Sequence, residues 1–276
     1  MLKFGFFFTL IVLTAWMQQK LLGGEPLNNE TTADSQSVKM IADAMASAKD
    51  QPEQVRLKTL QAVAKAVQEK HPHNVLIADQ LKVATTLESY ESALKNVVSI
   101  LTFKPKEEAD LPKGFPSPTP LGEIQLKQYP AYRLARTPSK NDSGFFKLFA
   151  HITMNRIEMT APVEMTYQAN DKNKPEQIDI AFIYGDSDLG KTGNKLGGVT
   201  VSDIPAITTV TVGLKGDNDR ANLVEVERRL ENWLTQNATD YDGLKICVCW
   251  DTTVLKCGTT CDITKSNCPS RRNNED

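Results

Sequence analysis

Two hydrophobic rhythms meet in residues 145–167. Phe145, Leu148, Phe149 and Ile152 fall at i, i+3, i+4 and i+7, which predicts a helix stripe with Asp142 or Ser143 at its N-cap. Beyond it Ile157, Met159, Ala161, Val163, Met165 and Tyr167 alternate with Glu158, Thr160, Glu164 and Thr166, the period of a half-buried strand. Pro162 donates no backbone hydrogen bond, so this strand is expected at a sheet edge or broken by a bulge there.

Upstream, Ile41, Ala44, Met45 and Ala48 give one short stripe, and Pro52 opens a second through Val55, Leu60, Val63, Ala64 and Val67. After the break at residues 70–74 the longest stripe runs from Ile77 through Leu87 and Leu94 to Leu101. These predict a helical hairpin or three-helix unit over 37–102. Five prolines interleaved with charges make 103–120 a stiff, solvated linker.

The segment Ile124-x-Leu126-x-x-Tyr129-Pro130-Ala131 recurs as Val199-x-Val201-x-x-Ile204-Pro205-Ala206. Each copy leads to more strand and then to a helix, the second predicted over Ala221 to Gln236 with Leu223, Val226, Leu230, Trp233 and Leu234 as its stripe. The predicted fold class is therefore α+β. A duplicated strand-helix-strand-strand repeat forms a barrel-like antiparallel sheet with two helices, preceded by the small helical unit.

Arg156-Ile157-Glu158-Met159-Thr160-Ala161-Pro162-Val163, following the Phe145 helix, resembles the signature octad of the SOUL haem-binding family over roughly residues 115–245. The family's Gly-x-Asn-rich loop is cut here to Thr153-Met154-Asn155. The resemblance implies the same barrel and a non-enzymatic protein that binds haem, another tetrapyrrole or a hydrophobic small ligand, weakly and non-covalently. Related barrels of bacterial multidrug-response regulators hold small hydrophobic molecules between their repeats. The alternative is a structural or protein-interaction module that keeps the barrel without ligand.

The residues that would hold a tetrapyrrole lie on the first helix: Phe145, Phe149, His151, Ile152 and Met154. His151 has two readings. As neutral imidazole it would ligate iron beside an apolar wall of Phe149, Ile152 and Met154. Otherwise it is an exposed histidine facing the negative end of the helix dipole. His71-Pro72-His73 has metal-ligand character with no third ligand near it, and is expected as a pair of solvent-facing turn residues. The Gly190 to Gly198 loop lacks phosphate-cradle spacing and reads as a hairpin. No nucleophile-plus-base set is visible, so an enzyme is not expected.

A net charge of −2 and a pI near 6.0 give no basic footprint, so no nucleic-acid partner is expected. Lys3 followed by the apolar run Phe4 to Trp16 reads as an export signal or uncleaved anchor over 1–24, then a disordered spacer over 25–36. The protein is accordingly expected to be exported, periplasmic or secreted, touching a membrane only through that segment. The repeat domain is placed at 121–245 and a cysteine-containing tail at 246–276, which holds all five cysteines. Read two nucleotides later, the codons for Trp250 to Leu255 allow Gly-Tyr-Asn-Ser-Pro, and those for Cys261 to Ser270 allow an alternating strand. A reading-frame shift near Lys245 is inferred, with the tail unpacked.

Overall fold

The structure, a computed structural model, describes residues 30–105, 109–139, 143–169, 175–215, 220–237, 245–250 and 254–258. Four helices open it: α1 (Glu30–Ala48), α2 (Glu53–Lys70), α3 (Val75–Lys82) and α4 (Leu87–Leu101). Their stripes meet in one core in which Val67, Ile77, Leu94 and Val97 are fully buried. Helix α1 takes in residues 30–36, so the spacer expected over 25–36 is helical from Glu30 onward. The long stripe after residue 74 is two helices. Thr86 accepts from the Ser89 backbone while Ser89 Oγ accepts from the Thr86 backbone, and that capping box starts α4 afresh.

The second part holds β1 (Ile124–Tyr129), β2 (Tyr132–Pro138), α5 (Ser143–Met154), β3 (Val163–Ala169), β4 (Pro175–Ile183), β5 (Gly193–Asn194), β6 (Thr200–Ile204), β7 (Ile207–Leu214), α6 (Arg220–Asn237), β8 (Lys245–Trp250) and β9 (Val254–Gly258). The strands form one sheet in the order β1-β7-β8-β9-β3-β4-β2-β6-β5. Most pairs are antiparallel, and β7·β8 and β3·β9 are parallel. The α+β class holds, but among the described residues the two end strands do not pair with each other, so no closed barrel is observed.

Both long helices lie against one face of this sheet. Leu148 and Ile152 of α5 pack with Ala135, Ile180, Phe182 and Val201, while Leu223, Val226, Leu230 and Leu234 of α6 pack with Ile124, Val210 and Val212. Met165 borders both clusters. The opposite face buries Tyr129, Tyr132, Leu134, Ala181 and Ile183 under Phe115. Beside them Glu164, 3% exposed, takes hydrogen bonds from Arg136 and from Tyr132 Oη at 3.2 Å.

Three expectations are corrected here. The strand after α5 begins only at Val163, past Pro162, and it is interior, between β9 and β4, with its irregularity at Thr166/Tyr167. The linker is partly packed: Phe115 meets Tyr129 and Tyr132 edge to face, Thr119 bonds Thr211 at 2.9 Å, and Lys113 donates to the Gly185 carbonyl. The tail is not wholly unpacked, because residues 245–250 and 254–258 pair with β7, with β3 and with each other. These two strands meet the edges of β7 and β3, which would otherwise carry unpaired backbone groups. Residues 259–276 and the 1–24 segment lie outside the described residues.

The helical unit is docked on the sheet. Val75 N–H donates to Gly122 C=O at 2.8 Å, Ile124 N–H to His73 C=O at 3.0 Å, and the Asn74 amide to Leu121 C=O at 2.9 Å. Asn74 also caps α3 by accepting from Ile77 N–H. Gly213 on β7 sits under this joint, where any Cβ would run into the carbonyl oxygens of Thr119 and Pro120.

Candidate functional site

Helix α5 is apolar on both sides. Its inner side, Leu148 at 0% and Ile152 at 3% exposure, is fixed by the sheet. On its outer side Phe146 and Met154 are 72% exposed and Phe149 is 47% exposed. Lys147, Ala150 and Thr153 are exposed among them. Contiguous aromatic exposure of this kind marks a surface that meets something apolar.

The exposed rings continue an aromatic series that starts in the core. Phe182 meets Phe145 edge to face at 5.0 Å between centroids, and Phe145 stacks on Phe149 at 6.3 Å with planes 8° apart. Phe145 also meets Phe146 edge to face at 6.0 Å. The outer rings thus rest on the half-buried Phe145, itself held by Phe182, which reduces the side-chain entropy that a flat ligand would cost on binding. Lys147 within the helix and Arg156 just beyond it are exposed, and Lys195 is near enough to act on His151. Leu196, 91% exposed, follows Lys195 in the loop before β6.

His151 follows neither sequence reading. It is 5% exposed, its Nε2 lies 2.9 Å from Tyr184 Oη, and the Asn155 amide approaches Nδ1 at 3.4 Å. Burial, reinforced by Lys195, holds its pKa below the ordinary value, so the neutral ring is favoured. Both ring nitrogens face protein partners, and neither is presented to a ligand on the outer face. Ile152 is likewise core. Of the five expected residues, the structure presents Phe149 and Met154 outward, leaves Phe145 half-buried behind them, and withdraws His151 and Ile152.

Sequence reading missed Phe146 and Leu196. Phe146 falls off the i, i+3, i+4 stripe, and that position was itself the signal: an amphipathic helix ought to be polar there. Leu196 sits in a glycine-rich loop with no periodicity to mark it.

The two turn histidines are also corrected. His71, 7% exposed, shares a 2.9 Å hydrogen bond with Ser37 Oγ, and burial lowers its pKa. His73 accepts from Trp233 Nε1 at 3.1 Å, with the rings edge to face at 5.5 Å. They are joints between elements, where a solvated turn was expected. Among the described residues no group of three or more His, Cys, Asp or Glu is placed to hold a metal ion.

No protein-family model matches the chain, and no curated protein does. Two solved structures of EcmrR are similar to it. The crystal structure of the EcmrR C-terminal domain shares 23% identity at a TM-score of 0.29, covering 42% of this chain and 75% of that one. The cryo-EM structure of the EcmrR-DNA complex in EcmrR-RPo shares 14% identity at a TM-score of 0.28, covering 85% and 73%. That second protein is seen on DNA, so the exclusion of nucleic acid drawn from net charge alone is withdrawn.

Proposed function

We propose that this is a non-enzymatic binding protein for a tetrapyrrole or similar flat hydrophobic ligand, with a SOUL-like barrel, exported from the cytoplasm. The observation that carries the reading is the outward apolar side of α5, Phe146, Phe149 and Met154, on a helix whose other face is core. The octad resemblance at residues 156–163 supports it independently. A porphyrin would stack on the Phe149 ring and meet the Phe146 ring, whose plane stands nearly perpendicular to it, at its edge, with its carboxylates toward Lys147, Lys195 or Arg156. Axial ligation by His151 does not fit, because that imidazole is buried on Tyr184. Bound haem would supply a chromophore and a redox-active iron, and the protein's own residues would contribute stacking and charge.

Absorbance titration of the purified full chain with haemin tests the reading. A saturable Soret shift at one equivalent is expected, weakened about tenfold or more when Phe146→Ala and Phe149→Ala are combined. Broadening without saturation would overturn ligand binding. The high exposure of the same rings would then favour the second reading, a protein-interaction module. Among the described residues no helix is long and apolar enough to cross a membrane. Export rests on residues 1–24, and fractionation of cells producing the full chain tests it.

A further inference from the structure

Where the helical unit meets the sheet, a cleft of about 220 Å³ opens between α3, β1, β7 and α6. Its floor is part of the α6 core: Ile124, Val212, Val226 and Leu230, none more than 7% exposed. Val75 and Leu76 of α3 wall one side and Leu214 the other. Charge is confined to the rim. On the α6 side Arg229 Nη1 lies 2.6 Å from Asp79 and its Nε 2.8 Å from Glu225, so both carboxylates there are taken up by one guanidinium. Across the mouth stands Lys215, whose ammonium lies 4.9 Å over the Phe103 ring and, among the described residues, has no carboxylate partner.

We infer that this cleft is a binding site for a small amphiphilic carboxylate, its chain on the Ile124-Val212-Val226-Leu230 floor and its head group at Lys215. The size suits such a ligand. An apolar cavity of about 150 Å³ takes up benzene, so this one accommodates a chain of roughly eight carbons. The charge pattern selects the sign: the rim's acids are already paired, and Lys215 is the cation left to meet an anion. Because α3 supplies a wall, the site exists only while the helical unit is docked. Ligand would therefore stabilise the docked state in proportion to its occupancy. The site is separate from the α5 surface and does not depend on haem binding.

Octanoate and 1-octanol are the probes, read on the full chain by thermal midpoint and by tryptophan fluorescence, to which Trp233, whose indole bonds His73 at the same joint, contributes. Octanoate is expected to raise the midpoint saturably. Lys215→Gln, an exposed change, should weaken octanoate about fivefold and leave octanol unaltered. Leu214→Trp, filling the mouth, should abolish both, with folding verified by far-ultraviolet circular dichroism. Phe149→Ala should leave both intact. The inference is overturned if wild type shows no saturable response to octanoate, if Lys215→Gln binds it at full strength, or if Phe149→Ala removes the response.

Discussion

Helices α5 and α6 occupy corresponding places: each follows a pair of strands, precedes another pair, and lies on the same face of the sheet. Their inner sides are alike, with Leu148 and Leu230 both at 0% exposure. Their outer sides differ. That of α5 is aromatic and open, whereas that of α6 carries Glu225, Arg228 and Arg229 in an ion-paired row, with Arg229 reaching Asp79 of the docked helical unit. Packing against the sheet is shared by both copies, and the outward residues set what each helix offers to its surroundings.

The likeness between the halves fails most deeply after Lys245. In the first half β4 is antiparallel to β2 and carries β3 beyond it, but in the second β8 is parallel to β7 and comes before β9. The asymmetry begins where the reading-frame shift is proposed. Replacing residues 246–270 with the strands that the shifted codons allow is expected to produce the largest effect. The unfolding midpoint should rise by about 2–4 °C per kcal/mol gained. An unchanged or lower midpoint argues that the written tail is native.

Leu148→Ala and Leu230→Ala probe the shared inner faces. Each should cost about 2–5 kcal/mol in urea unfolding, as for fully buried leucines elsewhere. A loss below about 1 kcal/mol at one site only would show that the two helices are not equivalent supports. Next in size is ligand affinity: Phe149→Ala should weaken haemin several-fold while shifting stability by less than about 0.5 kcal/mol, since its ring is half exposed. The mirror change on α6, Arg228→Ala, should leave haemin binding unaltered.

Acid should act on the α5 side through His151. Its folded pKa lies below the ordinary 6.5, so the unfolded chain takes up a proton that the fold refuses. The stabilising contribution is full above pH 6.5 and is lost as pH falls from there through the folded value. Urea midpoints between pH 8 and 5 in wild type and His151→Gln check this, and the variant should show the shallower decline. The smallest effect belongs to the α6 rim. Its carboxylate Glu225 is held at a pKa of about 2 by Arg228 and Arg229, but the group is surface exposed and solvent screens it. A double-mutant cycle on Asp79 and Arg229, 2.6 Å apart, should return about 0.2–1 kcal/mol.

Much of the scaffold was legible in the residues. The stripes placed α2, α5 and α6 within a few positions, and the Tyr129-Pro130-Ala131 kink marked the break between β1 and β2. Tertiary partners were not legible. Whether His151 faces water or Tyr184 depends on a residue 33 positions away, and periodicity records which face of a helix is apolar without saying how deep each residue lies. His73 and Trp233, 160 positions apart, meet only because the helical unit docks. The prolines pointed to the irregular chain seen at residues 103–105 and 109–120, but they are silent on whether it lies in solvent or, as Phe115 shows, against a core.

Gly213 places a genetic condition on this joint. Every amino-acid replacement reachable from a glycine codon by one base change brings a Cβ, and here that atom collides with the backbone carbonyls of Thr119 and Pro120. The sheet could bend to admit it, but the Gly122 N–H bond to the Gly213 carbonyl at 2.7 Å would then lengthen, and Asn74 and Val75 hang from the same short segment. The junction that seats the helical unit on the sheet is therefore anchored to a codon at which only synonymous changes avoid the clash.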